Sequence, residues 1–179
     1  EQSLALQGLF AIIPDTQHRN DQNANWKRLG ADYAVLGSYT LATSSIQLDL
    51  KLLDVAGGRV ILGKRYNGRG GQEDDIIYTF VDQVVQELTG QPGIASGTIA
   101  FISNASGSKE LYISDTLGRD VRQITNHKSL VVSPRFTADG QALSYTSFHS
   151  GNSNLYLTDL KNGQRNKVLS RHPGMNLAQ

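Results

Sequence analysis

The stretch from Thr98 to Gln179 says one thing twice. Ile99-Ala100-Phe101-Ile102-Ser103 is answered by Leu143-Ser144-Tyr145-Thr146-Ser147, and Leu111-Tyr112-Ile113-Ser114-Asp115 by Leu155-Tyr156-Leu157-Thr158-Asp159, each at an offset of 44 positions. A repeat of roughly 40 to 45 residues built from several short strands is the mark of a β-propeller blade. Three strands are expected in the first copy, at Thr98 to Ser103, Glu110 to Asp115 and Val121 to Thr125. The second copy should run from Leu130 to Ser170, with a tight turn at Thr137-Ala138-Asp139-Gly140 where Asp and Gly accept positive φ. Residues 176–179 then read as the innermost strand of a third blade. A propeller takes about four to eight blades, so the chain is expected to be a piece of something larger.

The pattern changes near residue 95, and two domains are expected, at 1–95 and 96–179. In the first, helical and strand patterns mix. Ser3 to Leu9 reads as the end of a helix, Asp15 to Asn23 as a polar loop, and Trp26 and Leu29 as a short helix capped by Gly30. Tyr33 to Ser38 is a compact apolar strand. Ile46, Leu48, Leu50 and Leu52 alternate with Gln47, Asp49, Lys51 and Leu53, which is the period of a half-buried strand. Gly57-Gly58 turns the chain into a return strand over Val60 to Tyr66. A helix then opens on Glu73, Asp74 and Asp75, whose charge suits the positive end of its dipole. Ile77, Phe80, Val81, Val84 and Leu88 recur along it at spacings of 3 and 4, giving one apolar face to lay on the meander. Gly90-Gln91-Pro92-Gly93 stops it. The expected class is an α+β N-terminal domain, a small sheet with helices, followed by part of a β-propeller.

The chain has no cysteine, so disulfides, thiolate nucleophiles and Cys-based zinc sites are excluded. Its net charge is +1, with Lys and Arg scattered, so nothing favours nucleic acid or anionic lipid. No run approaches the roughly 18 apolar residues that span a bilayer. Glu1-Gln2-Ser3-Leu4 reads as the body of a domain rather than as an export signal.

Catalytic patterns are equally scarce. There is no Gly-x-Ser-x-Gly elbow, and Ala105-Ser106-Gly107-Ser108 reads as a hairpin turn. The histidines, His18, His127, His149 and His172, show no metal-ligand spacing. Asp74 and Asp75 are explained by the helix dipole, Asp115 and Asp159 by strand-end turns, and Arg69-Gly70-Gly71 by a loop without a phosphate-binding pattern. No catalytic residue, cofactor or metal is expected. One constellation stands apart. His127 and His172 occupy equivalent positions at an offset of 45, each between the outermost strand of one blade and the innermost strand of the next. The loops joining middle strands, Asn104 to Lys109 and Phe148 to Asn152, share that rim.

The blade core Pro134-Arg135-Phe136-Thr137-Ala138-Asp139-Gly140-Gln141-Ala142-Leu143-Ser144-Tyr145 resembles that of the TolB family, periplasmic propeller proteins of the Tol-Pal system. Ser150 to Leu160 and Gly163-Gln164 to Leu169-Ser170 continue the likeness. Leu29 to Gly37, Leu52 to Gly58 and the junction Glu87-Leu88-Thr89-Gly90-Gln91-Pro92-Gly93 resemble the family's first domain and its entry into the propeller. The resemblance implies six blades in the full-length family, of which about four are missing here. It implies a periplasmic, non-enzymatic scaffold that meets the lipoprotein Pal through one propeller face. That scaffold links the inner-membrane Tol proteins to the outer membrane for envelope integrity and for constriction at division. His172, Arg171, Met175, His127, Phe148 and His149 would then lie on the partner-binding face. TolA would be engaged by an N-terminal arm that this chain lacks. Two other readings stay open: the gating propeller of a serine peptidase whose catalytic domain lies elsewhere, and a carbohydrate- or small-ligand-binding propeller, although no aromatic platform is visible.

Overall fold

The period-2 alternation of the first ninety residues becomes a three-stranded antiparallel meander. A computed structural model describes every residue except 20, 22, 162–165 and 178–179. The chain divides into two units, Glu1–Ser96 and Gly97–Gln179. In the first, α1 (Gln2–Leu6) and α2 (Asp15–His18) precede β1 (Tyr33–Leu41), β2 (Ser45–Asp54), β3 (Arg59–Arg69) and the long helix α3 (Glu73–Thr89), and the sheet order is β1-β2-β3. The polar stretch read as a loop thus contains α2, while Trp26 to Leu29 makes turns and not a helix, with Gly30 at φ +76° closing them. The Gly57-Gly58 hairpin forms as expected: the Gly57 amide donates to Asp54 Oδ1 at 3.1 Å and Gly58 takes φ +62°.

Helix α3 follows its sequence signals closely. Its first turn carries Glu73, Asp74 and Asp75, and Gly90 caps it at φ +73°. The backbone N–H of Glu73 itself, and then that of Gly71, hold the Glu73 carboxyl below the usual range. Phe80 and Val84 pack with Leu52 into a buried cluster, ringed by Leu4, Leu50, Ile61, Leu62, Tyr66 and Leu88. Each fully buried side chain of this size contributes about 1.5–3 kcal/mol. One expected member of the face is misplaced. Ile77 is 38% exposed, and the row that lies on the sheet is Ile76, Phe80, Val84 and Leu88, with Ile76 close over Gly68. Ile77 is one residue (about 100°) off that row, which an apolar count alone does not resolve.

The second unit holds two antiparallel sheets. The first is β4 (Thr98–Ser103), β5 (Glu110–Asp115) and β6 (Arg122–Gln123); the second runs β10-β9-β8-β7, with β7 (Val131–Phe136), β8 (Ala142–Ser147), β9 (Asn154–Asp159) and β10 (Asn166–Ser170). Leu111, Ile113, Ile124, Val131, Leu143, Tyr145 and Tyr156 form the buried core that both sheets share. Strand β6 is only two residues long where five were expected, and the cause is a side chain. The Thr125 hydroxyl accepts from the Leu111 amide at 2.9 Å and donates to Glu110 Oε2 at 2.6 Å, so it takes the place of a ladder carbonyl and draws the chain out of the sheet. Strand β7 bulges between Val132 and Arg135, where Ser133 has φ +55° and Pro134 has no N–H to donate. The turn at Thr137 to Gly140 forms as read, with Gly140 at φ +67° and Asp139 Oδ1 accepting from the Thr137 hydroxyl and the Gln141 amide. The last strand of the blade, expected over Asn166 to Ser170, forms as β10, while Gly163-Gln164 lies outside the described residues. So does part of the expected third-blade strand, 178–179; the described part, Asn176 and Leu177, is not in a strand.

Candidate functional site: a histidine pair on the blade loops

The connection from the first sheet to the second is fixed by a buried carboxylate. Glu110, 1% exposed at the start of β5, accepts from the Thr125 hydroxyl on one oxygen and from the Lys128 amide on the other, each at 2.6 Å. Lys128 adopts φ +53° to reach it. This pins the segment on both sides of His127 and aims its ring into the second sheet. From the opposite direction the turn after β8 is anchored by the Phe148 amide, which donates to the Leu130 carbonyl at 3.0 Å.

Between these two loops the side chains form one chain of contacts. His127 Nδ1 lies 2.7 Å from Ser147 Oγ, and Ser147 Oγ lies 3.1 Å from His149 Nδ1. His149 Nε2 is in turn 3.4 Å from the Tyr156 hydroxyl. The two imidazole centroids are 4.3 Å apart. Tyr145 and Tyr156 stack on each other at 5.7 Å and face His127 at the same distance. Burial holds the His127 pKa below its ordinary value, the neighbouring His149 lowers it further, and Glu110 opposes both. Burial chiefly, with Tyr156 and Glu110, raises the Tyr145 phenol. Ser147 itself is fully buried, so this arrangement is a proton-ordered contact and not an exposed nucleophile. Among the described residues, no group of three or more His, Asp or Glu side chains could hold a metal ion.

The six residues expected on a partner face separate into two groups. His127, Phe148 and His149 meet across the two loops just described. Arg171, His172 and Met175 lie on the loop after β10 and are all exposed, Met175 to 76%. That loop is organised by Asn176, a residue that no sequence motif singles out. Asn176 Oδ1 accepts from the Ser170 hydroxyl at 2.5 Å and the His172 amide at 3.3 Å. Its Nδ2 donates to the carbonyls of Ser153 at 2.8 Å, His172 at 2.9 Å and Gly174 at 3.4 Å. The backbone of His172 is therefore fixed while its ring faces outward. An open hollow of about 330 Å³, lined by Leu155, Ser170, Met175, Asn176 and Leu177, lies beside it. Among the described residues, no hydrogen bond, ion pair or ring contact joins the two groups. Ser147, Tyr156 and Glu110 also escape any spacing rule. One signal for Glu110 does exist: a lone glutamate opening an otherwise apolar strand has to find its partners inside the fold.

Residues 85–179 match the TolB beta propeller domain. The chain is 49% identical over 176 residues to the Tol-Pal system protein TolB of Desulfotalea psychrophila, an alignment covering 98% of this chain and 40% of that protein. It is 40% identical over 154 residues to the Tol-Pal system protein TolB of Desulfosudis oleivorans, covering 86% of this chain and 35% of that one. Among solved structures, the crystal structure of TolB from Acinetobacter baumannii matches with a TM-score of 0.75 at 26% identity, over 83% of this chain and 39% of that chain. The chain spans well under half the length of these relatives. The blade repeat, the sheet-and-helix unit before it and near-half identity across both together mean that the chain belongs to the TolB family.

Proposed function

We propose that this chain serves as a non-enzymatic periplasmic scaffold of the Tol-Pal system, docking the lipoprotein Pal through the loops that carry His127, Phe148 and His149 and the loop that carries Arg171, His172 and Met175. Units 1–95 and 96–179 are read as the family's N-terminal domain and the opening blades of its propeller. In this reading TolA is a second partner, and the complex links the inner membrane to the outer membrane for envelope integrity and constriction. The observation that carries it is the run of likeness through both units to proteins named for the Tol-Pal system. The loop chemistry supports it: histidine, arginine, a half-buried phenylalanine and an exposed methionine on pinned backbone are what protein interfaces favour. No helix among the described residues is long and apolar enough to cross a membrane.

The test is co-purification with the soluble domain of Pal; absence of retention at neutral pH would sink the reading. His172→Ala is expected to weaken Pal binding by about 1 kcal/mol or more, the size of an interface anchor. Because the backbone at His172 is held by Asn176 and its ring is exposed, that loss should come without a change in stability.

A further inference from the structure

We propose that His127, Ser147 and His149 form a one-proton latch between the interblade connection and the β8–β9 turn: the pair stays closed while it is neutral or carries one added proton, and a second added proton opens it. The Ser147 hydroxyl has a single hydrogen. It can donate to one imidazole only, and must accept from the other. The His149 backbone N–H also donates to Ser147 Oγ at 3.4 Å and occupies one of its two lone pairs. With both rings neutral, two orderings fill the imidazole and phenol contacts. In one, Tyr156 O–H donates to His149 Nε2, His149 Nδ1–H to Ser147 Oγ, and Ser147 O–H to His127 Nδ1. In the other, His127 Nδ1–H donates to Ser147 Oγ, Ser147 O–H to His149 Nδ1, and His149 Nε2–H to the Tyr156 oxygen.

One added proton is absorbed without breaking any of these contacts, because either ring can become the doubly protonated donor while the other keeps a free acceptor nitrogen. The second cannot be. Both Nδ1–H groups then point at Ser147 Oγ, its own hydrogen loses its acceptor, and two like charges face each other with centroids 4.3 Å apart. The groups facing His127 from each packed element are Glu110 of β5, Tyr145 of β8, Tyr156 of β9 and His149 of the turn, with the Lys128 side chain next in sequence. Glu110 favours the first proton on His127. Burial and the neighbouring His149 resist it. The Phe148 amide and the Leu130 carbonyl join the same two segments, so opening the latch leaves that one backbone bond as their tie and loosens the loops without unfolding either sheet.

Control of docking by this latch rests on the docking reading above; the latch itself does not. The test is therefore in two arms. In the first, imidazole nitrogen shifts of the chain are followed by NMR between pH 8 and pH 5. The expected result is a coupled titration, with the second proton displaced to lower pH, and a His127 curve that moves up and becomes single-site in His149→Gln. Protection of the Phe148 amide against hydrogen exchange should fall as the second proton binds. Two independent single-site curves, or a His127 curve unmoved by His149→Gln, overturn the latch. Because His149 is exposed, that variant keeps the fold. In the second arm the affinity for Pal is measured over the same range. It should begin to fall as the second proton binds and steepen toward a limit of about tenfold per pH unit where that proton is fully bound, as linkage requires for one excluded proton. The dependence should vanish in His149→Gln and in His127→Gln. A wild-type slope shared by both variants overturns control of docking. If Pal binds at no pH, the docking reading falls while the first arm still decides the latch.

Discussion

The junction between helix α3 and the first blade strand provides the sharpest stability test. Asp82, on the outer side of α3, receives three hydrogen bonds from the segment that follows: the Ala95 amide at 2.6 Å, the Ser96 amide at 3.0 Å and the Ser96 hydroxyl at 2.5 Å. Ala95 is fully buried. Hydrogen bonds to a carboxylate contribute about 1.5–3 kcal/mol each when buried, and the partial exposure of Asp82 places these at or below the lower end. Asp82→Ala should therefore destabilise the first unit by about 2–4 kcal/mol. Asp82→Asn keeps one carbonyl-type acceptor, so its cost should be about half. The same residue explains Gly93. A Cβ there would stand 2.6 Å from the α-carbon of Asp82, a backbone atom that cannot swing aside. Gly93→Ala should cost about 1–3 kcal/mol through overpacking. In Asp82→Ala/Gly93→Ala the penalties should be less than additive, because the first change has already loosened the segment, though the crowding against the helix backbone remains. The assay is urea unfolding with matched m-values, so that midpoints report stability. An Asp82→Ala variant within about 0.5 kcal/mol of wild type, or one no worse than Asp82→Asn, would refute the reasoning.

Two further outcomes follow from the second unit. Asn176→Ala removes the side chain that holds Ser170, His172 and Gly174, and should cost about 2–3 kcal/mol; hydrogen exchange should show lost protection at the His172 amide with none lost in the first unit. The pH dependence has a definite sign. His127 has a folded-state pKa below its unfolded value of about 6.5, so the unfolded chain takes up its proton first. Its contribution to stability is complete above that value and is lost as pH falls through it toward the folded pKa. Unfolding midpoints should drop between pH 7.5 and 5.5, and drop less in His127→Gln; an equal drop in both would remove His127 as a cause.

What the chain discloses in advance is periodic. Strand spacing, the 44-residue repeat, the acidic start and glycine stop of α3 and the Gly57-Gly58 hairpin all depend on neighbours in sequence, and each appears in the fold. What it conceals is set by side chains reaching across. Strand β6 is short because Thr125 bonds Leu111 and Glu110 from 14 and 15 residues away. Ile77 turns outward because Ile76 is the residue that meets Gly68. The site divides along the same line. The repeat register singles out His127 and His172 as equivalent, yet their surroundings differ: His127 is drawn in by Ser147 and the tyrosines, while His172 is turned out by Asn176. No spacing rule relates His127 to His149, 22 positions on, because their meeting depends on two sheets packing through Leu111, Val131 and Leu143.

The docking face is tested most directly by amide and imidazole shift mapping of the isotope-labelled chain titrated with the soluble domain of Pal at neutral pH. Perturbations are expected to concentrate at His127, Phe148 and His149 and at Arg171, His172 and Met175, with the first unit silent and saturation shifted to higher Pal concentration in His172→Ala. Perturbations confined to residues 1–96, or saturable binding that leaves both loops unshifted, would contradict it.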